Sequence, residues 1–106
     1  IWMDPLAMRD AMTALAPVAE REVGVDLGER PSELAARLGD LDAEIRDTLA
    51  AVPEERRRLV AGHESMGYLA DRYGFELLGA VVPSLSSRAQ VSASNLAALR
   101  RQVERE

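Results

Sequence analysis

The sequence predicts a helix-rich α/β chain, and three observations carry that reading. Two segments near the amino terminus repeat apolar residues at helical spacing. From Leu59 onward the period changes, and two short apolar runs, "LVAG" and "FELLGAVVP", alternate with helical stretches. No internal repeat or low-complexity tract interrupts that order. Strand, helix, strand, loop and helix in succession begin a parallel-sheet unit, because parallel neighbours need a long crossover and a helix supplies it.

The first helix is expected in "MDPLAMRDAMTALAPVAEREVG". Asp4 is its N-cap and Pro5 its first residue, where the missing N–H costs nothing. Met8, Met12 or Ala11, Leu15, and Val18 or Ala19 recur along one face, and Gly24 stops the helix. Pro17 is expected to kink or break it near its end. "VDLGERP" is a connector.

The second helix is the most regular segment, Ser32 to Val52. Leu34, Leu38, Leu41, Ile45, Leu49 and Val52 form one apolar stripe, while Asp40, Asp42, Glu44, Arg46 and Asp47 fall mostly off it. Ser32 is the expected cap and Pro53 the stop. Gly39 inside it costs about 1 kcal/mol against alanine, tolerable over so many turns.

"EERRR" reads as a solvated turn, since two acids adjoin its three arginines. "LVAG" then reads as a buried strand and "ESMGYLADRYG" as a helix ending at Gly74. Phe75 to Val82 is a second strand closed by Pro83, and "SLSSRAQVSASN" is a polar loop. "SASNLAALRRQVERE" is the last helix, capped by Ser92 or Ser94, with Leu96, Leu99 and Val103 on one side.

Composition narrows the function. The chain has 106 residues, 47% of them hydrophobic and only 4% aromatic, enough for a core of Leu, Val and Ala. Its net charge of -5 argues against a nucleic-acid partner, which demands a basic face for phosphates. All thirteen basic residues are arginine. With no cysteine, disulfides, thiolate zinc sites and cysteine nucleophiles are excluded. No apolar run approaches the roughly 18 residues needed to cross a bilayer. The chain starts at Ile1 and shows no signal peptide, so it is expected to be a piece of a longer protein.

His63 is the only histidine. It directly follows "LVAG", which puts it at the carboxyl end of a strand, with Gly62 allowing a tight turn. In open α/β sheets that edge binds ligands, because the loops there diverge. An imidazole at that place serves as metal ligand or general acid–base group. A histidine satisfied by hydrogen bonds at a strand end explains the same residues.

Other motifs point less far. Adjacent strand residues face opposite ways, so Glu64 is better read as a first-turn helix acid than as a carboxylate orienting His63. Ser84, Ser86 and Ser87 lack a nucleophile elbow around them. Asp40, Asp42, Glu44 and Asp47 lack the calcium-loop pattern and diverge around a helix. Tyr68 and Tyr73, with Met66 and Leu69, read as packing residues.

"VAGHESMGYLADRYGFELLG" resembles the metal-binding solute-binding proteins that feed zinc or manganese to bacterial ABC importers (cluster A-I, the periplasmic zinc-binding lipoprotein family). In that family a strand ends in a histidine, followed by an acid and then a glycine–tyrosine and tyrosine–glycine pattern. Gly67, Tyr68, Tyr73 and Gly74 match it; Leu69 replaces the usual aromatic and Glu64 the commoner aspartate. "IWMDP" resembles the tail of a D-P-H-x-W-x-D-P motif, with Trp2, Asp4 and Pro5 matching. "SSRAQVSASNLAALRRQV" resembles the stretch that opens the next helix, with Val91 where a proline is frequent. The resemblance spans essentially the whole chain.

The resemblance implies three parts. Residues 1–30 are a helix and connector from the end of an amino-terminal lobe, and residues 31–53 are the long interlobe helix. Residues 54–106 are the first strand-helix-strand-helix of a carboxyl-terminal parallel-sheet lobe. It implies a metal held between lobes by three histidines and an acid, with His63 the third histidine. The second would stand immediately before Ile1, the first further upstream, and the acid beyond Glu106. Zn2+ is the expected ion and Mn2+ the alternative, bound weakly or not at all by this piece alone.

An extracytoplasmic location, in the periplasm or lipoprotein-anchored at the cell surface, follows from the same resemblance. So does an ABC permease as partner, with no catalysis. Two alternatives stand beside it: a manganese- or iron-binding member of the same superfamily, and a hydrolase using His63 as general base. The latter requires a nucleophile or pocket within reach, and the sequence offers none. Unpaired strand edges predict self-association of the piece.

Overall fold

In the computed structural model the described residues are 1–63, 65–82 and 93–105, with His63, Val82 and Asn95 described by backbone alone. The chain divides into two compact units, Ile1–Ala51 and Val52–Glu106. Among the described residues no helix is long and apolar enough to cross a membrane.

The first unit is two helices packed on one another, α1 (Pro5–Val23) and α2 (Arg30–Leu49). Asp4 starts α1 as its sequence predicts. Its backbone is extended, and its buried carboxylate Oδ1 accepts from the N–H groups of Leu6 and Ala7, each at 3.0 Å. Two of the orphan N–H donors of the first turn are thereby satisfied. Gly24 ends the helix in the left-handed region (φ 72°) while its N–H donates to the Glu20 carbonyl at 3.0 Å.

At Pro17, where a kink or break is expected, the helix does not break; α1 runs on to Val23. Pro17 and Thr13 are both exposed. A proline on an exposed part of the helix costs less than one in a packed core, because water can serve the carbonyl that loses its partner.

The bounds of α2 also differ from expectation. Glu29, not Ser32, is the N-cap, and Pro31 occupies the first turn. Ser32 lies inside the helix and its hydroxyl donates to the Glu29 carbonyl at 2.8 Å. At the other end the helix stops at Leu49 instead of Val52. Pro53 pushes the residue before it out of the helical region, so the last turn unwinds ahead of it.

Leu34, Leu38, Ile45 and Leu49 are half-buried along the predicted stripe. Leu41 is 42% exposed, whereas neighbouring Asp42 is only 8% exposed. Its carboxylate accepts from Arg46 Nε at 2.8 Å, one turn on. That pairing offsets the cost of removing the charge from water.

The second unit has the predicted order. A short 3-10 turn (Glu54–Arg56) leads into β1 (Arg58–His63), then α3 (Gly67–Tyr73), β2 (Glu76–Val82) and α4 (Ala93–Val103). β1 and β2 pair in parallel, with α3 as crossover. Arg58 stands opposite Glu76 and Leu59 opposite Leu77, but Val60 pairs with Gly79. β2 thus carries one extra residue, Leu78, in a bulge.

α3 is ended by Gly74 (φ 71°), whose N–H donates to the Ala70 carbonyl. Among the described residues of the unit, Ala61, Ala70 and Tyr73 are the buried apolar ones. Tyr68, expected like Tyr73 to be a packing residue, is 54% exposed instead. The two tyrosines are five residues apart, about 140° around a helix, so the face that buries one turns the other outward. α4 packs on β2, with Ser94 inside the helix and not at its cap. Glu64, Ser92 and the expected loop with Ser84, Ser86, Ser87 and Val91 lie outside the described residues.

Candidate metal centre

Arg57 anchors the strand that carries the histidine. Its guanidinium Nε donates to the Val52 carbonyl at 3.2 Å, and its own carbonyl accepts from the Glu76 N–H at 2.7 Å. Those contacts tie the turn before β1 to the first residue of β2. The sequence placed Arg57 in a solvated run; Glu54, Glu55 and Arg56 are indeed exposed, but Arg57 is half-buried.

From that anchored end β1 runs six residues and closes at His63. His63 pairs with Val82, the last residue of β2. Both strands therefore stop at one level, at their carboxyl ends. This is the edge of a parallel sheet at which ligands bind. Of the two residues before it, Ala61 is buried, and Gly62 has open space where a Cβ would stand. Gly62 makes no tight turn, because it continues the strand and its φ is not positive.

Among the described residues no three or more His, Cys, Asp and Glu side chains gather as a metal cage. Of the acids of α2, Asp42 engages Arg46, while Asp40, Glu44 and Asp47 are exposed. A tetrahedral zinc site takes three or four ligands. What the sequence reading missed was the burial of Asp42 and the bracing role of Arg57. A hint of the first was available, because Asp42 and Arg46 stand four apart, the spacing at which opposite charges meet on a helix.

Comparison with known proteins sets this geometry in context. The family described as zinc-uptake complex component A, periplasmic (ZnuA), matches residues 1–106. The zinc-binding protein TroA of Treponema pallidum is 31% identical over 90 residues, which is 85% of this chain and 27% of that protein. The high-affinity zinc uptake system protein ZnuA of Paracoccus denitrificans is 27% identical over 108 residues, 99% of this chain and 32% of that protein.

Among solved structures, one of TroA concerned with its metal-binding specificity superposes with a TM-score of 0.73 at 21% identity, covering 98% of this chain and 38% of that one. The periplasmic zinc-binding protein TroA from Treponema pallidum gives a TM-score of 0.64 at 26% identity, covering 99% and 38%. The chain spans about a third of the length of the curated relatives it matches. Helix-rich α/β architecture is common to it and these neighbours. Matched along its whole length, the chain belongs to the family of periplasmic zinc-uptake complex component A.

Proposed function

We propose that this chain is part of an extracytoplasmic solute-binding protein, not an enzyme, that captures a divalent cation and delivers it to the membrane permease of an ABC importer. Zinc is the first candidate. The observation that carries the reading is the position of His63 as the last residue of β1, at the carboxyl edge of a parallel pair, in a chain matched throughout by a zinc-uptake family. The names of the relatives, a zinc-binding protein and a high-affinity zinc uptake protein, support the choice of ion.

In this reading His63 donates one imidazole lone pair to the ion, and the remaining ligands come from polypeptide beyond these residues. Nitrogen and oxygen donors with no thiolate suit zinc or manganese, and intrinsic affinity favours zinc. A single ligand gives little affinity, because tight binding comes from several deprotonated groups converging at once. Residues 1–30 then end one lobe, residues 31–53 join the lobes, and residues 54–106 open the second. A surface lipid anchor or a free periplasmic state both fit this role.

The test is calorimetric titration of zinc, then manganese, into the full-length protein containing this chain and into its His63→Ala variant. The expected loss in the variant exceeds the roughly 10–100-fold that follows removal of an outer-shell partner. Unchanged zinc binding by a folded His63→Ala protein would remove the histidine from the site. Tighter binding of manganese than zinc by the parent would change the cargo but keep the ligand.

A further inference from the structure

We draw no further inference here: the strongest candidate, the apolar groove of about 260 Å³ between α1 and α2 lined by Met12, Leu15, Ala16, Ala19, Leu27 and Leu34, carries nothing because nothing in the structure shows what covers it.

Discussion

Leu99 of α4 lies so close over Gly79 of β2 that a Cβ built on the glycine would stand 3.0 Å from Leu99 Cδ1. Glycine at that point lets the helix approach the strand. Gly79→Val should therefore destabilise the fold by about 1–3 kcal/mol, the usual cost of overpacking. Trimming the neighbour with Leu99→Ala should recover part of that loss in the double variant, a coupling typical of residues in contact. Urea unfolding followed by circular dichroism measures all three. Strictly additive effects would mean that the two residues do not touch.

The tyrosines of α3 give a second contrast. Tyr73 is 6% exposed and Tyr68 54%. Tyr73→Ala should cost about 3–5 kcal/mol, in line with truncation of a large buried ring. Tyr68→Ala should stay within about 0.5 kcal/mol, as exposed substitutions do. Equal shifts in the two melting curves would contradict the orientation of the helix.

Two glycines should respond to alanine with opposite sign. Gly39 is inside α2, with negative φ and open space where a Cβ would go. Gly39→Ala should stabilise the helix by about 1 kcal/mol. Gly74 holds φ 71° at the end of α3, and Gly74→Ala should destabilise by about 1–2 kcal/mol because a Cβ clashes in the left-handed region. Thermal melts of the two variants decide the point, and a stabilised Gly74→Ala protein would refute it.

The isolated 106-residue chain should self-associate. Among the described residues β1 and β2 pair only with each other, leaving one edge of each strand open. Large apolar side chains such as Leu15 (54%) and Val23 (72%) are also exposed. Open edges and apolar surface both recruit partners. Sedimentation velocity across a range of concentrations should reveal species heavier than 11.6 kDa. A single monomeric species at every concentration would overturn this expectation.

Much of the architecture was legible because local signals and packing agree. Asp4, Pro5 and Gly24 bracket α1 through capping chemistry that needs no distant partner. The switch from helical spacing to short apolar runs located β1 and β2, and placed His63 at a strand end. The misses lie where a local rule had a competitor. Ser32 is a good cap by type, yet Pro31 fits the first turn and drew the start of α2 back to Glu29. Tyr68 was read by residue type, while its exposure depends on which face of α3 meets the layer. Asp42 falls off the apolar stripe by its spacing, yet it is buried; that burial depends on tertiary cover that periodicity does not reveal. Of the candidate site, the sequence located the strand end that carries His63; the companion ligands expected from the resemblance fall outside these residues.

The extra residue in β2 bears on how chains of different length can share this sheet. Leu59 pairs with Leu77 and Val60 with Gly79, so Leu78 has no counterpart on β1. A relative lacking one residue here keeps every other pairing, and its strand simply straightens. The same deletion at Ala80 would turn the distal half of the strand over, exchanging its inward and outward residues. Single-residue gaps between relatives should therefore gather at Leu78, upstream of the level at which both strands end.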